Sequence, residues 1–273
     1  MTKNIGIFYF SGTANTEIVA SLLEKELKAL GSEVDLIRVE DVLRSKIKVD
    51  FKKYDILGIG FPVHAFNAPR IIFDFIKLLP RINNGKKAFV FKTAGGSSFL
   101  NDAAGLRTKN KLQKIKYEVF HESLVVMPSN WLKGFDELMQ KKLCQEAIKE
   151  TKKIASEIFE EKEIIKKPGI LARISSFIFK IESFGAHFVA KDFYVLKSCN
   201  NCGVCVDNCP MENIYRKRGR IKFGWKCVLC MRCLYSCPKK SIVPIFYKFM
   251  VIKEGYDIKK VFNEVSKENE NQL

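Results

Sequence analysis

Acidic residues are few in this chain, and so are the signatures of substrate chemistry. Thirty Asp and Glu stand against 47 Lys and Arg, a formal net charge of +17 over 273 residues. No Ser-His-Asp set and no paired carboxylates stand out, which argues against a substrate reaction of its own. The patterns G-x-x-x-x-G-K-S/T and G-x-G-x-x-G are both absent, excluding a Walker-type triphosphate loop and a dinucleotide fingerprint. The first ten residues, MTKNIGIFYF, run straight into apolar sequence without a basic stretch or a small-residue cleavage site, so no signal peptide is expected. No uncharged apolar run reaches the length of a membrane span. These absences predict a cytoplasmic protein, where thiols stay reduced.

What the chain does have is cysteine, concentrated in one place. Eight of its nine cysteines form two copies of C-x2-C-x2-C-x3-C-P offset by 28 residues. Cys199, Cys202, Cys205 and Cys209 align with Cys227, Cys230, Cys233 and Cys237. Pro210 and Ile214 align with Pro238 and Ile242. Structural zinc uses C-x2-C pairs across a longer spacer, and a disulfide framework needs an oxidising compartment. Triplets with a trailing Cys-Pro have the spacing of the bacterial two-cluster ferredoxins, whose fourth cysteine serves the other cluster. Cys199, Cys202, Cys205 and Cys237 are thus expected to hold one [4Fe-4S] cluster. Cys227, Cys230, Cys233 and Cys209 are expected to hold the second. Cys144, within a helical pattern, reads as a core residue.

Residues 1–162 alternate strand-like and helix-like segments. Strands are predicted over 4–10, 34–39, 55–60, 87–93 and 118–127, and helices over 16–30, 69–79, 101–115 and 136–161. The first helix carries Ile18, Val19, Leu22, Leu23, Leu27 and Leu30 at helical spacing, with Gly31 as its stop. This alternation predicts an α/β fold, a flavodoxin-like five-stranded doubly wound parallel sheet of order 2-1-3-4-5. Its ligand belongs at the carboxyl ends of the first and third strands. Residues 163–198 read as an amphipathic bridge, broken at Pro168-Gly169 and then bearing Ile170, Ile174, Phe177, Ile178, Ile181, Phe184 and Phe188. Docking of the two domains is the plain use of such a helix, and attachment to a membrane surface is the alternative. Residues 199–245 are expected to form a small α+β ferredoxin-like domain with two [4Fe-4S] clusters. Residues 246–273 are a docking segment ending in a frayed tail.

The turn after the first strand is Ser11-Gly12-Thr13-Ala14-Asn15-Thr16, opening into the first helix. Three hydroxyls, backbone N–H groups and a helix N-terminus make a phosphate cradle. No Lys or Arg lies between Phe10 and Leu23, so neutral donors would hold a phosphomonoester there. This loop resembles that of the flavodoxins, S/T-x-T-G-x-T, with Ala14 where the family has Gly. If that position needs φ > 0, Ala costs about 1 kcal/mol. The resemblance implies FMN, with the ring contacted by two later loops. One is Pro62, Val63, His64, Ala65 and Phe66; the other is Thr93, Ala94, Gly95 and Gly96. His64 would stack on the ring or bond its edge, and Phe66 would take an apolar role. Together with Met127-Pro128-Ser129-Asn130-Trp131, the chain resembles the flavodoxin–ferredoxin fusion proteins of anaerobic bacteria and archaea. That resemblance implies FMN, two [4Fe-4S] clusters and electron transfer between low-potential partners.

The functional expectation is an electron carrier, with a flavin-dependent reductase using His64 as proton donor as the alternative. Residues 199–245 carry nine basic and two acidic groups. Part of that charge would neutralise the anionic clusters. The rest would steer an acidic redox partner, such as a ferredoxin or an oxidoreductase. The run Arg216-Lys217-Arg218-Gly219-Arg220-Ile221-Lys222 reads as a hairpin docking patch rather than a nucleic-acid site.

Overall fold

A computed structural model describes every residue except 1, 84, 98, 132, 133, 179–189 and 271–273. Five strands form one parallel sheet: β1 (Asn4–Tyr9), β2 (Glu33–Arg38), β3 (Ile56–Pro62), β4 (Lys86–Ala94) and β5 (Tyr117–Val126). Their order is β2-β1-β3-β4-β5, the flavodoxin-like order read from the sequence. Alternation along the strands divides the core between the two faces. Ile5, Ile7 and Tyr9 of β1 pack with helices α1 (Asn15–Ala29) and α5 (Glu137–Phe159). Phe8 and Phe10 face α2 (Val39–Leu43), α3 (Arg70–Ile76) and, beyond it, α4 (Leu106–Lys114). On β3, Gly58 and Gly60 pair with Phe89 and Phe91 of β4, whose rings lie where Cβ atoms would be. Cys144 is fully buried in α5, and burial pushes its thiol up to about 11, as suits a core residue.

Local chemistry sets the helix ends. Gly31, at φ 95°, follows α1; its N–H donates to the Lys28 carbonyl while Ser32 N–H donates to that of Leu27. This is a Schellman stop. The Asp136 side chain caps α5 by accepting from Met139 N–H at 2.8 Å. The helix predicted over 101–115 begins later, after a 3-10 segment at Phe99–Gly105. Gly105 lies against the Glu122 carboxylate and Lys92 ammonium, so the chain is seated there by close packing before α4 starts. The five-residue α2 was not predicted; it is too short to display a period.

The cysteine-rich unit is small. Strands β6 (Phe193–Val195) and β9 (Ile242–Pro244) pair antiparallel, as do β7 (Ile214–Lys217) and β8 (Arg220–Phe223). The basic run therefore sits on a hairpin, turning at Arg218 and Gly219 with φ of 51° and 69°. Two single-turn helices, α7 (Val204–Asp207) and α8 (Arg232–Tyr235), follow the first cysteines of each motif. The 28-residue repeat is also a backbone repeat. Asn201, Gly203 and Glu212 have φ of 58°, 89° and 49°, and their counterparts Leu229, Met231 and Lys240 have 49°, 60° and 46°.

Helix α6 (Ile170–Ile178) packs on the 3-10 segment before α4, with Ala172 buried and Ile170 and Leu171 exposed. Ile181, Phe184 and Phe188 of the predicted bridge lie outside the described residues, as does the very end of the tail. Helix α9 (Ile258–Glu270) returns to the first domain, where Ile258 and Val265 enter the α1/α5 core. No helix among the described residues is long and apolar enough to cross a membrane.

Candidate functional site

Beyond the carboxyl ends of β1, β3, β4 and β5 lies a cavity of about 420 Å³. Loops from four strands form three of its sides. Ser11, Gly12, Thr13, Asn15 and Thr16 come from the first loop, Pro62, Val63, His64 and Ala65 from the second, and Thr93, Ala94 and Gly95 from the third. Pro128, Ser129, Asn130 and Trp131 follow β5. The fourth side comes from the other half of the chain: Val228, Leu229 and Cys230 of the second cysteine motif.

Side-chain hydrogen bonds lock the loops together. Thr16 and Thr93 hydroxyls lie 2.7 Å apart. Asn130 donates to the Thr13 hydroxyl at 2.7 Å, and Asn15 donates to the Pro128 carbonyl at 2.8 Å. The Tyr256 hydroxyl, from just before α9, is 2.7 Å from both Asn15 Oδ1 and the Pro128 carbonyl. Ser11 Oγ is buried without a hydrogen-bond partner. An orphan hydroxyl in a loop that opens a 15-residue helix fits a phosphate. Ala14 immediately precedes α1 with φ 77°, the left-handed conformation in which Gly would be unstrained.

His64 and Asn67 close a tight turn through mutual backbone hydrogen bonds of 2.9 Å, with Ala65 and Phe66 at φ of 40° and 58°. His64 is only partly covered because it faces the cavity, yet desolvation by the surrounding protein pushes its pKa down to about 4. A hydrogen bond with the Val228 backbone partly offsets this. The imidazole is therefore neutral at pH 7. Of the predicted flavin residues, Phe66, Gly96 and Ala14 do not line the cavity. Ala68, Pro69 and Arg70 also line the cavity, as do Val228, Leu229 and the expected iron ligand Cys230, and no local sequence signal marks any of them as facing a flavin. Trp131 belongs to the motif that follows β5. It lines the cavity and packs against the cysteine-rich core, so it touches both halves.

The cysteines fall into two groups. Burial raises the Cys205 thiol, and the neighbouring Cys237, Cys199 and Cys202 add to the rise. Those four also surround one small enclosed space. Burial pushes Cys227 up to about 12, with Cys230 and Cys209 adding to it. Burial likewise raises Cys233, with further contributions from Cys230, Cys227, Cys209 and then Cys205. Each trailing cysteine thus sits with the triplet of the other motif. Backbone N–H groups point at sulfur in matching places: Asn213 to Cys209 at 3.2 Å and Ser241 to Cys237 at 3.3 Å. Four thiols around one space, with N–H donors on sulfur, suit an anionic iron–sulfur cluster.

Comparison with known proteins agrees with both halves. Residues 187–242 match the 4Fe-4S dicluster domain family. Flavodoxin 1 of Escherichia coli strain K12 is 35% identical over 88 residues, 32% of this chain and 47% of that protein. The Megasphaera elsdenii flavodoxin is 32% identical over 110 residues, 39% of this chain and 77% of that protein.

The chain belongs to the flavodoxin family.

It is a flavodoxin–ferredoxin fusion, with the dicluster domain behind the flavodoxin-like half. It spans about half the length of the enterobacterial flavodoxins it matches, 47% for the E. coli protein. A solved flavodoxin from the domain Archaea covers 58% of this chain and 97% of its own, with 15% identity and a TM-score of 0.40. Both halves of the fusion belong to electron-transfer families, and the cavity described above lies where they meet.

Proposed function

We propose that this fusion carries electrons between FMN and two [4Fe-4S] clusters and exchanges them with an acidic low-potential redox protein. The observation that carries the reading is a shared wall: the phosphate-type loop and the Cys230 segment line one cavity. Bound there, FMN would supply a centre that accepts one or two electrons, and clusters accept one at a time. Residues 11–16 would hold the phosphate, with the orphan Ser11 hydroxyl as one donor. His64 and Trp131 offer flat surfaces to the ring, and Gly95 keeps its loop close to Ser129, where a Cβ would stand 3.0 Å away. Cys199, Cys202, Cys205 and Cys237 would ligate one cluster; Cys227, Cys230, Cys233 and Cys209 would ligate the other.

Neutral His64 speaks against the reductase reading, which needs a proton donor at neutral pH. The partner surface is the β7–β8 hairpin. Lys217, Arg218, Arg220 and Lys222 are exposed, and Arg216 donates to the Asn201 carbonyl at 2.8 Å beside Cys202. Arg232 does not belong to that surface, because its guanidinium is turned inward onto residues 11, 12 and 40.

Anaerobic reconstitution tests the reading. About eight irons and one FMN per chain are the expected content, by the two-cubane ligand count. FMN should be preferred over riboflavin because a phosphate loop recognises the terminal phosphate. Equal affinity for riboflavin would sink the loop's assigned role.

A further inference from the structure

We propose that the second cysteine motif completes the flavin site, with Arg232 as the positioning residue that sets the phosphate loop. This rests on the FMN reading above.

The loop brings no cation of its own, since none occurs between Phe10 and Leu23. Arg232 delivers one from 220 residues further along the chain. Its Nε–H donates to the Gly12 carbonyl at 3.3 Å, and its Nη2 donates to the Ser11 carbonyl. The same Nη2 pairs with the buried Glu40 carboxylate at 2.7 Å, while Nη1 donates to the Asn208 carbonyl at 3.1 Å. The Phe10 ring centre lies 5.9 Å from the guanidinium carbon. Each of the three guanidinium nitrogens is thus engaged, two of them on the phosphate loop.

The two carbonyls held by Arg232 belong to peptide groups whose other ends are the Gly12 and Thr13 N–H groups. A cation on a carbonyl draws electron density through the amide and strengthens its N–H as a donor. It also fixes both peptide planes just before Ala14, the residue at φ 77°. Gly12 is a second joint between the halves. A Cβ there would run into the Cys230 carbonyl, so loop and motif meet backbone to backbone. Lysine could not replace the arginine fully, because a single ammonium lacks the planar fork that spans two carbonyls and a carboxylate.

A residue that only fastened the halves together would matter equally for every flavin. One that sets phosphate donors matters for FMN and not for riboflavin. The test uses the full chain, reconstituted with iron and sulfide, as parent, Arg232→Met, Arg232→Lys and Gly12→Ala. Affinities for FMN and riboflavin come from flavin fluorescence, and the phosphate environment from the 31P resonance of bound FMN. Arg232→Met should weaken FMN about ten-fold, the scale of a charge-assisted hydrogen bond, and shift the 31P resonance, with riboflavin affinity and iron content at parent values. Arg232→Lys should recover part of the loss. Gly12→Ala should weaken FMN with Arg232 still present. An Arg232→Met chain that binds FMN like the parent, or loses both flavins alike, overturns the proposal. If Arg232→Met fails to take up iron, the FMN-to-riboflavin ratio of Arg232→Lys decides in the same way. A parent that holds about eight irons and takes no FMN overturns the function reading itself.

Discussion

The two cysteine motifs share a backbone and differ in their surroundings. Positive φ angles recur 28 residues apart at three pairs of positions, and the N–H groups that reach Cys209 and Cys237 are also equivalent. Yet Cys202 is exposed, whereas its counterpart Cys230 is buried against Gly12, and burial pushes its thiol up to about 11. Arg232, one residue before Cys233, reaches into the flavodoxin-like half. Its counterpart in the first motif is Val204, which has no charge to offer. A repeat preserves ligand spacing while the residues between ligands are free to diverge. Here Cys230 lines the cavity while Cys202 is exposed beside the basic hairpin, and the first motif meets the flavodoxin-like half elsewhere, where Arg44 donates to the Asp207 carbonyl at 3.4 Å.

That contrast can be broken by matched substitutions. Cys230→Ala should be the most damaging, removing an iron ligand and part of the cavity wall. About four of eight irons and most FMN affinity should go, whereas Cys202→Ala should lose iron and keep FMN binding; iron assay and flavin fluorescence separate the two. Equal FMN loss in both would mean that the motifs are not distinct in role. Cys209→Ala should remove the cluster of Cys227, Cys230 and Cys233, read by Mössbauer or EPR spectroscopy, sparing that of Cys199.

Next in size is the partner face. Reversing Lys217, Arg218 and Lys222 to Glu should slow exchange with an acidic carrier about ten-fold at low salt. Raising salt from 0.1 to 1 M, which shortens the Debye length from about 10 to about 3 Å, should slow the parent as well. A triple variant as fast as the parent, with salt also inert, would move the docking face to another surface.

His64 gives a pH signature. Its pKa in the fold, about 4, lies below the ordinary value of 6.5, so the neutral form is the one the fold favours. Its stabilising effect is complete above 6.5 and is lost as pH falls through 4. Stability measured in His64→Gln should fall less across that window than in the parent; matching slopes would remove His64 from the account. Smallest is Ala14→Gly, which relieves a residue at φ 77° and should raise stability by at most about 1 kcal/mol in thermal unfolding.

The sheet was legible because β1, β3 and β4 are dense in Ile, Val and Phe, and α1 repeats its apolar residues at helical spacing with Gly31 behind. The cysteine spacing likewise carries its own grouping. What was not legible is where the halves touch. Arg232 with Ser11, Tyr256 with Asn15 and Tyr235 with the Asn130 carbonyl are separated by 221, 241 and 105 residues, and no local period marks such pairs. The loop's resemblance to the family implies an apolar role for Phe66; the turn at His64 and Asn67 is closed by backbone hydrogen bonds, and Phe66 is not among the residues lining the cavity.

Helix α9 bears on how the protein is made. Ile258 and Val265 share a core with Val19, Leu23 and Cys144, and Lys259 pairs with Glu17 at 3.0 Å. A chain leaving the ribosome presents its N-terminal half first, and domains commonly fold in that order. Here the flavodoxin-like half lacks part of its interior until both cysteine motifs have been synthesised. It would stay incomplete through that interval, with the α1/α5 groove open.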